Sequence, residues 1–247
     1  MKNSKIILSF TAIIFTLLFT SCVQEVFNGK NIKGNKETTS EVREIRNDFT
    51  KIEKSGITDL IILNGTQDGR LELEGESNIL EYVETKVEGS TLMINTKKGF
   101  NLQTRKPVVI KLNAENLNVL SSSGSGDTRT AGVLKGNDFK ISQAGSGDMK
   151  LEFDLERLTI NMAGSGNINL RGKSQELEVS KAGSGDLFAF DLVVETADIS
   201  SAGSGDTQLK VKHILNISKV GSGDIFYKGQ PKIKASSTGS GDIIDKN

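Results

Sequence analysis

One tetrapeptide returns through the second half of the chain and limits what the chain can become. Gly-Ser-Gly-Asp occupies residues 124–127, 145–148, 183–186, 203–206, 221–224 and 239–242, and a seventh copy at 164–167 ends in Asn. Successive copies begin 18 to 21 residues apart. Six and four residues before the first glycine stand Phe139 and Ile141, Leu158 and Ile160, Leu177 and Val179. Later copies place Ala197 and Ile199, Leu215 and Ile217, and Ile233 and Ala235 there. After the Asp or Asn come Met149 and Leu151, Ile168 and Leu170, Leu187 and Ala189, and Ile225 and Tyr227. A period of two means strand with these residues on one face. The first copy is the least regular, with Leu117 and Val119 set one place further upstream.

Each unit therefore reads as strand, tight glycine turn, strand, and a looser stretch of variable length. A unit this short cannot bury an apolar face alone, whereas stacked units can. The reading is an all-β, single-domain parallel β-helix, a β-solenoid of about 18–21 residues per coil, with strands of neighbouring coils ~4.8 Å apart. A helical repeat fails because each internal glycine costs about 1 kcal/mol. A propeller blade needs about 40 residues. Residues 121–247 form the regular coils. Residues 47–120 lack the marker but show short apolar runs, and are expected to be irregular N-terminal coils that cover the solenoid's first edge. Within them Ser77 to Thr85 suits a helical turn with Ile79, Leu80 and Val83 inward.

Stacked turns would form a ridge. Ser125, Ser146, Ser165, Ser184, Ser204, Ser222 and Ser240 would make one row beside Asp127, Asp148, Asn167, Asp186, Asp206, Asp224 and Asp242. Both glycines are expected at positive φ, with the Asp accepting N–H groups inside its own turn. These residues read as mainly structural, and secondarily as a ligand face. Carboxylates ~4.8 Å apart repel by about 0.9 kcal/mol in water, so they must be hydrated, tied to amides or bridged by cations. Asn167 relieves the row. A calcium-binding β-solenoid is thereby an alternative, although the calcium-binding repeat has a nine-residue period.

The first residues carry an address. Lys2 and Lys5 precede an apolar run from Ile6 to Phe19, which stops at Thr20-Ser21-Cys22. This is the layout of a secretory signal over residues 1–21, and it is shorter than a membrane span. Leu18-Phe19-Thr20-Ser21-Cys22 resembles a bacterial lipobox, which implies lipidation of Cys22. Val23 follows where an inner-membrane retention signal would have Asp, so in a Gram-negative host the outer membrane is the expected destination. Residues 22–46 are polar and read as lipid anchor and flexible tether.

Composition excludes several classes. Lys and Arg number 31, matching 31 Asp and Glu, so there is no basic excess for nucleic acid. One Cys excludes an intrachain disulfide, and one Cys with one His excludes the usual zinc sites. No metal, cofactor or catalytic residue is expected, and His213 reads as a surface or core-edge residue. Phe188, Phe190, Phe226 and Tyr227 could form an aromatic patch near the last coils, with alternate members in the core.

Phe49-Thr50-Lys51-Ile52, the segment Gly56 to Gly75, Leu92-Met93-Ile94 and the Gly-Ser-Gly-Asp turns together resemble the "putative auto-transporter adhesin, head GIN domain" family over residues 47 to 245. The resemblance implies a right-handed parallel β-helix on the cell envelope with an adhesin-like role. The expected function is a non-enzymatic envelope lipoprotein that contacts an envelope or host protein or a glycan. A polysaccharide-active β-helix enzyme is the alternative. It is disfavoured because Arg129, Arg157 and Arg171 share no repeat position, Trp is absent and Tyr is rare. The last coil's edge is covered by little beyond Asp245 and Lys246, whose charges defend it, and an oligomer through that edge is the alternative.

Overall fold

A computed structural model describes residues 29–247. The signal segment and Cys22 lie outside the described residues. The elements, in order, are β1 (Lys30–Lys33), β2 (Thr38–Glu44), β3 (Lys51–Gly56), β4 (Asp59–Leu63), β5 (Arg70–Glu76), a helical turn α1 (Ser77–Leu80), β6 (Val83–Glu88), β7 (Thr91–Thr96), β8 (Phe100–Gln103) and β9 (Val109–Asn113). They continue as β10 (Val119–Gly124), β11 (Thr128–Ala131), β12 (Leu134–Gly145), β13 (Met149–Gly164), β14 (Ile168–Gly183), β15 (Leu187–Gly203), β16 (Thr207–Gly221), β17 (Ile225–Lys228), β18 (Lys232–Thr238) and β19 (Ile243–Asp245).

These strands build a β-solenoid in a single domain, as the repeat requires. From β10 onward every coil pairs in parallel with the next, and the glycine turns coincide: Gly124 faces Gly145, which faces Gly164, then Gly183, Gly203 and Gly221. Strands entering the turn form one wall, here the entry wall. Strands leaving it form the exit wall. Register slips between Arg129 and Leu134, between Asn169 and Arg171, and between Ala189 and Thr196, where coil length changes. The looser stretch thus absorbs insertions while the turn keeps step.

The core lies between the walls. Phe139, Ile141, Leu158, Ile160, Leu177, Val179, Ala197, Ile199, Leu215 and Ile217 are buried, as are Met149, Leu151, Ile168, Leu170, Leu187, Ala189 and Ile225. Each large apolar side chain buried this way contributes about 1.5–3 kcal/mol, which a lone coil could not realise. Ile233 and Ala235 hold the same places in β18 but are exposed, with no further coil over them among the described residues.

Three expectations need correction. The first copy is in register after all: Leu120 pairs with Ile141 and is buried, while Val119 points outward and Asn118 takes the sixth place upstream. Residues 47–120 are not simply consecutive coils. β10 stacks on β3, and β11 on β4, while β3 and β4 stack in turn on β7 and β9. The chain between β4 and β10 folds back and closes the first edge with antiparallel strands, β5 on β9 and β6 on β7. α1 sits in this cap with Ile79 and Leu80 inward, and Val83 is buried beside them.

The third correction concerns the tether. From Lys30 the segment is ordered: β1 pairs with β8, and β2 lies antiparallel on β5. Its residues are mostly exposed, so an apolar period was not there to read. A buried carboxylate anchors it instead. Glu76 accepts the N–H of Lys36 at 2.7 Å and that of Arg105 at 2.8 Å, joining the segment to the loop after β8. These backbone donors, Arg105 first, hold the Glu76 carboxyl below its ordinary range.

Candidate binding surfaces

The turn ridge forms, but its glycines do different work. The first glycine of each copy has positive φ, from +105° at Gly124 to +141° at Gly145. The second does not share that region; it is buried and needs closeness. A methyl group on Gly185 would lie 2.2 Å from the carbonyl oxygen of Gly166, one coil away. The Ser146 and Gly147 N–H groups both donate to the Gly124 carbonyl, at 2.9 and 3.1 Å, and the pattern repeats at later turns.

The carboxylates bridge coils rather than bonding within their own turns. Asp127 Oδ1 accepts the Asp148 N–H at 2.9 Å, Asp148 that of Asn167 at 2.8 Å, and Asn167 that of Asp186 at 2.9 Å. Asp186, Asp206 and Asp224 continue the series to Asp242 at 2.7, 2.8 and 2.8 Å. Of the three ways to accommodate the row, hydration, amides or cations, the structure shows the ties to amides. Asp59 starts the ladder by accepting the Asp127 N–H at 2.8 Å. Gly56-Ile57-Thr58-Asp59 is therefore a degenerate eighth turn, hidden from a repeat search because only its first and last residues match. All seven turn serines are exposed, and Ser240 and Ser222 hydroxyls meet at 3.1 Å.

A mostly polar column beneath the ridge went unread. Two places before the first glycine, and so facing inward, stand Lys54, Ser122, Gln143, Met162, Lys181, Ser201 and Lys219, all buried. Lys54 Nζ donates to the Thr58 carbonyl at 2.8 Å and the Gly126 carbonyl at 2.5 Å. Lys181 Nζ donates to the Gly205 and Asp206 carbonyls. Long side chains thus pin the next coil's turn from inside. Burial lowers both ammonium groups to about 8, against the opposing pull of Asp59 and Asp127 on Lys54 and of Asp186 and Asp206 on Lys181. The signal was available: these places share parity with the core positions yet carry polar residues.

The concave surface lies elsewhere, on the outside of the entry wall. A cleft of about 660 Å³ runs over its first coils and a second of about 570 Å³ over its last. The floor is small and polar: Ser142, Asn161, Ser180 and Ser200 make one column, and Ala144, Ala163 and Ala182 the next. Small side chains at adjoining outward positions leave the trough between larger neighbours such as Glu178 and Asp198. None of the predicted turn residues lines either cleft, so the ridge and the trough are distinct surfaces.

Comparison with known proteins places this architecture. The family model described as "Putative auto-transporter adhesin, head GIN domain" matches residues 48–231. The chain belongs to this family. A structure from Bacteroides fragilis called a putative adhesin is 26% identical, with a TM-score of 0.77, over 87% of this chain and all of its own. One from Parabacteroides distasonis called a putative lipid binding protein is 29% identical, with a TM-score of 0.73, over 88% of this chain and all of its own. One from Parabacteroides merdae, a putative adhesin by name, shares the fold at 21% identity and a TM-score of 0.68, over 89% of this chain and all of its own. No curated protein matches. Among the described residues no helix is long and apolar enough to cross a membrane.

Proposed function

We propose that this member of the family is a non-enzymatic envelope lipoprotein, held to the outer membrane through Cys22, whose solenoid makes adhesin-like contact with an envelope or host protein or a glycan. The family's adhesin character and the signal-like first 22 residues support the address. The trough carries the binding reading. It is a long, shallow surface fixed by the coils beneath it, lined by hydroxyl and amide groups that donate and accept hydrogen bonds. The sugar-cleaving alternative would recruit carboxylates in facing pairs. Here the repeated carboxylates stand in a single file, and each from Asp127 to Asp224 gives one oxygen to the next coil's backbone.

Protein and glycan arrays probed with the unacylated chain test the reading. Binding that is lost in Ala163→Arg and Ala182→Arg, with unchanged melting, supports the trough. Hydrolysis or lyase activity on any arrayed glycan overturns the non-enzymatic assignment. Lipidation is checked separately by labelled palmitate, which should mark the wild-type chain and spare Cys22→Ser.

A further inference from the structure

The outside of the exit wall differs in character from the trough. Register aligns one outward column along it: Arg129, Lys150, Asn169, Phe188, Gln208, Phe226 and Ile244. No carboxylate interrupts this column over its length of ~30 Å. In the adjoining column Lys210 faces Lys228 across neighbouring coils, and Lys246 follows beside Tyr227. Phe188, Phe190, Phe226 and Ile244 are all partly exposed. Lys228 Nζ lies 4.5 Å from the Phe190 ring centre, and Lys246 Nζ 5.1 Å from that of Phe226. Phe188, Phe190 and Phe226 point outward as an aromatic patch, and Tyr227, the alternate neighbour of Phe226, turns toward the core.

Charge on this wall is not balanced locally. Carboxylates serve Lys173 through Asp154, Arg171 through Asp191, and Lys212 through Glu195. Arg129, Lys150, Lys210, Lys228 and Lys246 have no carboxylate partner within ion-pair distance among the described residues. Stacked lysines one coil apart repel each other, and an anionic partner would relieve that repulsion. Lys228 and Lys246 lie over the Phe190 and Phe226 rings, and their long stems can swing toward anionic groups and bare those rings.

We infer that the exit wall is a docking face for an anionic lipid surface, with Lys210, Lys228 and Lys246 meeting phosphates and Phe188, Phe190 and Phe226 entering the interface. A planar partner suits an apolar and cationic wall, and neither trough cleft includes Lys210, Lys228, Lys246, Phe188, Phe190 or Phe226. An acidic polysaccharide fits less well. Phe offers a sugar no hydrogen bond, and the column supplies only Asn169 and Gln208 for its hydroxyl groups. This face deepens the envelope reading proposed above, but its test does not use the acyl anchor.

The test is co-sedimentation of the unacylated chain, from residue 22 onward, with vesicles of phosphatidylcholine alone or mixed with phosphatidylglycerol. Binding is expected only to the anionic vesicles, and to weaken with salt. Lys210→Glu, Lys228→Glu and Lys246→Glu together should weaken it by 100-fold or more, at about a factor of five for each lysine lost near the surface. A triple reversal elsewhere, Lys33→Glu, Lys140→Glu and Lys234→Glu, makes the same change in net charge and should cost far less. Equal loss in both triple variants, or no binding to anionic vesicles, overturns the inference. Binding to a soluble polyuronate without vesicle binding overturns it too, and assigns the face to an acidic glycan. Labelled palmitate on Cys22 reports the anchor independently.

Discussion

The carboxylate of Asp186 accepts the backbone N–H of Asp206, one coil later, at 2.7 Å. The residue that looks like a repeated ligand is thus a rung that ties one turn to the next. A single rung can be deleted. Asp186→Ala leaves the Asp206 N–H without its acceptor, which costs about 1–3 kcal/mol. Asp186→Asn should cost less than half as much, because Asn167 already fills the same role with its amide oxygen. Urea denaturation of the two variants checks this; equal losses would mean that charge, not acceptance, matters at the rung.

The two glycines of a turn make separable predictions from their serine. Gly185→Ala drives a methyl group against the Gly166 carbonyl, a backbone contact that cannot swing away. It should destabilise by about 3 kcal/mol or more, at the severe end of single substitutions. Ser184→Ala, on the exposed crest, should stay within about 0.5 kcal/mol. Melting curves of both variants decide it.

Lys181 predicts an unusual pH dependence. Its ammonium group titrates at about 8 in the fold against 10.5 unfolded. Between those values the unfolded chain holds the proton and the folded chain does not, so stability rises with pH. Below about 8 both states are protonated and the contribution is flat. Lys181→Met, which copies Met162 at the preceding place, should remove this rise. The measurement is unfolding free energy at neutral pH and near pH 10 in both proteins. The wild type should gain on the variant as pH increases.

Glu76 gives the same sign in an acid window. Its folded carboxyl lies below the ordinary range of 4.5. Its stabilisation is therefore present above the unfolded value and lost as pH falls through the folded one. Glu76→Gln should raise hydrogen exchange in β1, β2 and the loop after β8 at neutral pH, while leaving β13 to β16 protected. Uniform loss of protection would show that the cap and the coils unfold together.

How much of this could be read from residues alone depends on whether a signal repeats. Phe139, Leu158 and Leu177 recur at one place, so coil, register and core are legible. The first coil is not, because Gly56-Ile57-Thr58-Asp59 keeps two of four letters and its neighbour in space, the turn at Gly124, follows only after the cap. β2 is not legible because Val42 and its polar neighbours are exposed and its order comes from pairing and from Glu76. The buried lysines break the rule that inward means apolar, and only the carbonyls around them explain why. The Asp ladder eludes any reading of one copy, since each bond links two. The trough follows from small outward residues, a pattern that marks shape without naming what fits it.

A spacing measurement tests the stack of turns most directly. In a background lacking Cys22, paired cysteines replace Ser184 and Ser204, or Ser165 and Ser204. Adjacent turns should hold their Cα atoms ~4.8 Å apart, inside the range a disulfide spans, and next-but-one turns about twice that, outside it. The account predicts rapid oxidation of the Ser184→Cys/Ser204→Cys pair and none of the Ser165→Cys/Ser204→Cys pair. Equal oxidation of both, or of neither, would contradict it.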